Sequence, residues 1–312
     1  MEQVRISARV KGTIEADGLR FKDLDGTGVL KPYEDWRLSP EERARDLVER
    51  MTDEEKAGMF VINSQMMGIS VKPGKATSHG GLLSEIHEEI PMRGRPTMQY
   101  PTTYKLATWH VRHFIVRENA KASELAAWVN AMQEVCEGTR LGIPCIVASN
   151  SKNESADIRY SAEEESNRFT TFPGTLGLAA ANDMALIDEF ASVVRREFMA
   201  ANLRKGYMYM ADCATDPRWF RTFGTFGEDP QQISEIITHI IRGIQGEALN
   251  ARNVALTTKH FPGGGARENG FDPHYAEGKY NCYATPHSME TYHLPAFRAA
   301  VAAGTSAVMP YY

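Results

Sequence analysis

Val254-Ala255-Leu256-Thr257-Thr258-Lys259-His260-Phe261-Pro262-Gly263-Gly264-Gly265 is the stretch whose reading decides the fold. Its first five residues form a short apolar and β-branched run, the pattern of a strand buried on both faces in a parallel sheet. A basic pair then falls at the carboxyl end of that strand, where α/β folds place their ligands. The Pro and three Gly behind it break regular structure and let the backbone pass close to a ligand. Lys and His supply hydrogen-bond donors suited to a neutral, hydroxyl-rich molecule. The same residues also suit a basic turn on a solvated surface, so this stretch alone leaves both readings open.

Outward from that stretch the chain alternates strand and helix. Strands are expected at Met59–Ile62, His113–Val116, Pro144–Ala148, Gly206–Met210, Asn253–Thr258 and Ser306–Met309. Helices are expected at about Ala122–Gly138, Asp183–Ala201, Pro230–Gly246 and Pro286–Ala303. Such a β-then-α rhythm predicts a parallel sheet wrapped by helices, either doubly wound or closed into a barrel. Polar or unusual residues follow the late strands: Asn150, Asp212, Lys259 with His260, and Tyr311. Converging strand ends suit a (β/α)8 barrel, of which about six βα units are present.

Before this rhythm, residues 1–37 read as an irregular segment and residues 38–312 as the barrel-like domain. Ser39-Pro40-Glu41-Glu42 opens a helix with an N-cap, a Pro in the first turn and early acids; Leu47, Val48 and Met51 give it an apolar face. Thr52-Asp53-Glu54-Glu55 has the pattern of a capping box and starts a second helix.

Composition sets the class. The 312 residues are 42% hydrophobic and 24% charged, ordinary for a globular protein, and can bury one large core or two smaller ones. A net charge of -5 gives no electrostatic reason to expect nucleic acid or an anionic membrane. No apolar run approaches the roughly 20 residues that cross a bilayer. The polar start, Met1-Glu2-Gln3-Val4-Arg5, has no signal-peptide core, so a cytoplasmic location is expected; a mature secreted form would look the same. Cys136, Cys145, Cys213 and Cys282 form no C-x-x-C pair and read as small apolar groups.

Four stretches carry candidate chemistry. In Asp212-Cys213-Ala214-Thr215-Asp216-Pro217-Arg218-Trp219, an Arg fork and two carboxylates beside a Trp suit sugar hydroxyls and a sugar face; an ion pair bracing a loop is the plainer reading. In Thr222-Phe223-Gly224-Thr225-Phe226-Gly227-Glu228-Asp229-Pro230, Asp229 is expected to cap the helix that begins at Pro230. In Asp272-Pro273-His274 a carboxylate two residues before a His can orient the imidazole as an acid or base, or simply hydrogen-bond it. Finally, Asp23, Asp25 and Glu34 fall at positions 1, 3 and 12 of a calcium-loop spacing, with Thr27 at 5 and Gly28 at 6. Pro32 and the lack of a preceding helix favour a metal-free turn there, and any calcium would be structural.

Two weaker signals are set aside. Ser149-Asn150-Ser151-Lys152 has S-x-x-K spacing without its partner motifs. No phosphate loop or dinucleotide fingerprint occurs, so a cofactor-free reaction is expected.

With these residues laid out, the chain resembles the N-terminal barrel domain of glycoside hydrolase family 3, most closely its β-glucosidase branch. The similarity runs from about Leu38 to Tyr312. It rests on Arg50-Met51-Thr52-Asp53-Glu54-Glu55-Lys56, Leu141-Gly142-Ile143-Pro144, Phe172-Pro173-Gly174-Thr175-Leu176-Gly177, Asp216-Pro217-Arg218-Trp219 and Lys259-His260, in order. The resemblance implies an exo-acting retaining β-glycosidase acting on terminal β-linked sugars in carbohydrate metabolism. It implies that Arg218, Lys259 and His260 hold hydroxyls of the first-subsite sugar, with Asn150, Asp212 and Asp216 in support. Asn150 stands where family members often carry an Asp.

The family nucleophile, an Asp near the end of a seventh strand, and the acid/base carboxylate of two-domain members find no counterpart here. The expectation is therefore a fragment whose catalytic groups belong to a missing C-terminal part. Two alternatives remain: a β-N-acetylhexosaminidase using Asp272 and His274 as an acid/base pair, and a non-catalytic sugar-binding protein.

Overall fold

The computed structural model describes residues 2–92, 95–116, 118, 120–151 and 169–311. Six strands are parallel: β1 (Ile62–Gln65), β2 (His113–Val116), β3 (Ile146–Ser149), β4 (Lys205–Gly206), β5 (Ala255–Phe261) and β6 (Ala307–Pro310). They are hydrogen-bonded in chain order from β1 to β6. A doubly wound sheet reverses its strand order at a switch point, whereas a barrel never does. The unreversed order decides for an incomplete (β/α)8-type barrel. The helices are α1 (Pro40–Arg50), α2 (Asp53–Met59), α3 (Thr102–Ala107), α4 (Ala122–Glu137), α5 (Thr175–Ala181), α6 (Met184–Ala200), α7 (Pro230–Gln245) and α8 (Leu294–Ala302). At least one of them lies between each pair of successive strands from β1 onward.

The chain divides into two compact units, residues 1–118 with 126–147, and residues 119–125 with 148–312. In the first, α1 and α2 both begin at capping boxes, Ser39 with Glu42 and Thr52 with Glu55. Leu47 and Met51 of that stretch pack with Tyr33, Leu141 and Ile143. Val48 instead faces solvent, half exposed. The Arg112 guanidinium donates to the carbonyls of Leu106, Val111 and Ile143, fixing the start of β2.

The opening segment is not wholly irregular. Thr13–Ala16 pairs with Leu19–Lys22 around Asp17 and Gly18, both at positive φ, the geometry of a two-residue hairpin turn. The first parallel strand also differs from expectation. The capping box carries α2 through Met59, so the apolar run Phe60-Val61-Ile62 is left exposed, Phe60 at 90%, and pairing begins only at Ile62.

In the second unit α7 is the central support. Ile233, Ile236, Ile237, Ile240, Ile241 and Ile244 recur at helical spacing and all are buried. Gly243 lets α6 approach closely, since a Cβ there would meet the Ala191 Cβ at 2.5 Å. At the end of α7 the buried Gln245 side chain accepts from the amides of Leu256 and Ser306 and donates to Gly304 O. One amide thereby fixes where β5 and β6 start. β4 shrinks to two regular residues, continued by a single Met210–Lys259 bridge. β5, in contrast, runs three residues past the expected end, so Lys259 and His260 lie in the strand itself and not in the turn after it.

Ile240→Ala in α7 removes a side chain with no solvent exposure and should cost about 2–5 kcal/mol. Val301→Ala, at an exposed position of α8, should change stability by no more than about 0.5 kcal/mol. Urea denaturation of the two variants provides the comparison.

Candidate functional site

All the residues assembled here belong to the second unit except the acidic loop described last. Asp212, just beyond β4, has no solvent-accessible surface. Its carboxylate accepts from His260 Nδ1 at 2.8 Å, from the His260 amide at 3.2 Å and from the Gly264 amide at 2.5 Å. Burial alone would raise its pKa, but the hydrogen bonds and charge of His260 and the amide of Gly264 outweigh this and hold the carboxyl below its ordinary range. Burial pushes the His260 imidazole below its usual value in spite of Asp212. The pair at neutral pH is thus a carboxylate and a neutral imidazole whose Nδ1–H donates to it, which leaves Nε2 as an acceptor.

The glycines behind this pair are required by contact. A Cβ on Gly265 would lie 2.1 Å from Cys213 O, and one on Gly264 3.0 Å from Asp212 Oδ1. The Lys259–His260 and Phe261–Pro262 peptides are both cis.

Lys259 turns the other way. Its ammonium donates to Asn150 Oδ1 at 2.6 Å and Tyr207 O at 2.5 Å and lies 4.6 Å from the Tyr207 ring centroid. Asn150, Lys259, Arg221, Thr175, Met210 and Phe223 line one cavity. Arg221 was not singled out by the sequence reading. Its guanidinium is held by Tyr311 OH at 3.5 Å and Met210 Sδ at 3.7 Å. Tyr311 in turn places its ring 4.6 Å from that of His260, under the Arg267 guanidinium at 4.1 Å, and burial pushes its phenol up to about 12. A cavity walled by an ammonium, a guanidinium, an amide and a hydroxyl can bind several hydroxyl groups at once. No carboxylate is among the described residues that line it.

Asp216 and Arg218 lie outside that lining. They form a two-pronged ion pair, Nε to Oδ1 at 3.0 Å and NH2 to Oδ2 at 2.8 Å, with the Arg218 side chain 63% exposed and also reaching Asn269 at 3.5 Å. Here the loop-bracing alternative describes the geometry. Asp229 caps α7, accepting from the amides of Gln231 and Gln232. On the loop after β5, buried Asp272 accepts from His274 Nδ1 at 2.5 Å and from its amide at 2.8 Å, with the imidazole about one third exposed. Lys152, the end of the S-x-x-K spacing, and Tyr312 lie outside the described residues.

In the first unit, Asp23, Asp25 and Glu34 do converge, each with a carboxylate oxygen within 4.8 Å of the others. Glu34, however, accepts from the amides of Leu24, Asp25 and Lys31. The Lys31 ammonium donates to Thr27 Oγ1 and Val29 O and pairs with Asp25 Oδ2 at 3.2 Å. Those are positions 5, 7 and 3 of the loop, so a lysine side chain stands among the atoms that would ligate calcium.

Residues 94–312 match the family model described as the glycosyl hydrolase family 3 N terminal domain. A periplasmic beta-glucosidase/beta-xylosidase of Dickeya chrysanthemi is 34% identical, over 100% of this chain and 45% of that protein. A probable beta-glucosidase C of Aspergillus oryzae is 34% identical, over 90% of this chain and 41% of its own. Among solved structures, a β-glucosidase from Erythrobacter marinus superposes with a TM-score of 0.65 at 24% identity, covering 89% of this chain and 32% of that one. A family 3 β-N-acetylglucosaminidase from Paenibacillus does so at 0.63 and 21%, covering 83% and 42%. The chain therefore spans less than half the length of these two curated relatives.

Two outcomes are expected. His260 prefers its neutral form in the fold and Asp212 its charged form, so for both the unfolded chain binds more protons in acid. The His260 contribution is lost as pH falls below the unfolded value of about 6.5, and that of Asp212 at lower pH still. Calorimetric melting temperatures should fall from pH 7 to pH 5; a rise would contradict the pair as described. Second, added calcium should leave the melting temperature of the native chain unchanged, whereas Lys31→Met should make it calcium-dependent.

Proposed function

The chain belongs to glycosyl hydrolase family 3, and from that premise we propose that it supplies the first-subsite half of an exo-acting retaining β-glycosidase whose substrates are β-glucosides. The observation that carries this is the meeting of Lys259, Arg221 and Asn150 in one cavity, buttressed by Asp212 and His260. Lys259 and Arg221 donate to hydroxyls of the terminal sugar. Asn150 accepts from Lys259 through Oδ1 and keeps its amide hydrogens for the substrate. Asp212 holds His260 in one tautomer, so that Nε2 accepts from a sugar hydroxyl. Arg218, placed by Asp216, braces the rim, and the direct contact assigned to it on sequence grounds passes to Arg221.

Retaining hydrolysis requires two carboxyl groups about 5–5.5 Å apart across the scissile bond, one as nucleophile and one as acid then base. We place both in sequence beyond this chain, a reading supported by relatives more than twice its length. No helix among the described residues is long and apolar enough to cross a membrane. The periplasmic name of the Dickeya relative favours the mature secreted alternative over the cytoplasmic one for this chain as well.

A second reading, a β-N-acetylhexosaminidase, is favoured by one contact: the Asp272–His274 hydrogen bond, the geometry an orienting carboxylate gives a catalytic imidazole. Initial rates of the full-length protein on aryl β-glucosides and aryl β-N-acetylglucosaminides separate the two. On the leading reading Lys259→Met and Arg221→Met each lower kcat/KM on the glucoside about 10- to 100-fold, as expected for a charge-assisted hydrogen bond of about 1.5–3 kcal/mol. His274→Ala should abolish turnover only on the second reading. Absence of turnover on every aryl β-glycoside by the folded protein would sink the enzymatic function.

A further inference from the structure

The last turn of α4 carries Gln133 and Cys136, and the chain returns to the sheet through Cys145, the residue before β3. Three apart, Gln133 and Cys136 share one face of the helix. The Gln133 side chain clasps the backbone of Cys145: its Nε2 donates to Cys145 O at 2.7 Å and its Oε1 accepts from the Cys145 amide at 3.1 Å. That clasp sets residue 145 against the face that carries Cys136, and the two thiols are hydrogen-bonded to each other. Both are free and buried, Cys136 with no exposed surface and Cys145 at 4%. The link between them is itself fixed. Thr139 Oγ1 donates to Cys136 O at 2.6 Å, the Gly142 amide to Thr139 O at 3.1 Å, and the Arg112 guanidinium to Ile143 O and Thr139 Oγ1. All of these residues lie in the first unit. Helix end and strand start thus hold two sulfur atoms together. Two small apolar side chains would fill the same space, but only thiols can be joined.

We propose that Cys136 and Cys145 are an oxidative cross-linking site, joined as a disulfide when the chain meets a low-molecular-weight disulfide such as oxidised glutathione. The inference is independent of the sugar-site reading. In the first step the Cys136 thiolate attacks one sulfur of the external disulfide, forming a mixed disulfide and releasing one thiolate. The Cys145 thiolate then attacks the Cys136 sulfur and releases the second. Two protein thiols give up two electrons and two protons, and the external disulfide takes them up as two thiols. Contact with Cys145 and the charge of Arg112 lower the pKa of Cys136, whereas contact with Cys136 and burial raise that of Cys145, an asymmetry that suits Cys136 as the first nucleophile. Neither sulfur is open to a reagent in the closed fold, so exchange takes place while this segment is transiently open. Once formed, the bond ties the end of α4 to the start of β3 and constrains the unfolded chain. An oxidising compartment, the setting of the mature secreted alternative, is where such bonds persist.

The test starts from the 312-residue chain with its four cysteines reduced. The chain is held in excess oxidised glutathione with urea below the unfolding transition, quenched with N-ethylmaleimide, and mapped by mass spectrometry after proteolysis without reductant. The expected product is a peptide pair joined through Cys136 and Cys145, with a melting temperature about 5 °C above that of the reduced chain and a return to the reduced value in dithiothreitol. Cys136→Ala and Cys145→Ala should each abolish both the joined pair and the rise. Thiols that stay unjoined, glutathione carried on Cys136 or Cys145 with no internal bond, or a joined pair that involves Cys213 or Cys282 instead overturns the proposal. So does a joined pair without a rise in melting temperature, since the native fold would then not accommodate the bond. Where a variant fails to fold, the peptide map and melting temperature of the native chain decide by themselves.

Discussion

A carboxylate with no access to water is the constraint on which the second unit depends. Removing Asp212 from water costs several kcal/mol unless its oxygens are met, and the chain meets them three times over, twice with His260 and once with the amide of Gly264. Each partner comes from the strand or turn of β5, while Asp212 follows β4, so the same contacts that make the buried charge tolerable also fix the two strand ends against each other. Gly264 and Gly265 are consequences of this. Any side chain on Gly265 would sit 2.1 Å from the carbonyl of Cys213, and the turn could not close on the carboxylate. The glycine run thereby brings the Gly264 amide to a charge.

The cavity inherits its order from that anchor. His260 is fixed by Asp212, and its neighbour Lys259 is held by a different set of partners. Lys259 meets Asn150 from the end of β3 and the carbonyl of Tyr207 from beyond β4. Tyr311, at the end of β6, packs on His260 and reaches Arg221 with its hydroxyl. Four strand ends thus contribute to a single arrangement, and the Gln245 amide holds the far ends of two of those strands in step. Function at one end of the sheet and register at the other are set by separate buried polar groups.

How much of this was legible follows from the range of each signal. The β5 strand, the α7 stripe, the capping boxes and the Asp229 cap are local patterns, and they stand within a few residues of where the sequence places them. The end of β5 was misplaced because Lys259 is held in the sheet by backbone bonds to Tyr209 and Ala211, which no periodicity reveals. The hairpin at Asp17-Gly18 did carry a readable two-residue turn signal, and Phe21 inside it is buried against Trp36. Arg218 and Arg221 show the deeper limit. Three residues apart on one loop, they are equivalent by composition, and only the pairing of Asp216 with the first sends it to the surface and leaves the second to the cavity.

That choice between the two arginines also bears on how the site divides its labour. A guanidinium locked by a two-pronged carboxylate has its directional donors already satisfied and offers a ligand little beyond shape. Arg221 is held instead by a phenol at 3.5 Å and a thioether at 3.7 Å, long contacts to neutral groups, so a well-placed hydroxyl can compete for its donors. Asp216 therefore shapes the cavity without lining it, because it holds one cation away from the lining to which Arg221 belongs. The same loop also brings Phe223 into the lining of the cavity. A cavity built in this way presents donors, an amide and a ring, and no carboxylate is among its described lining residues.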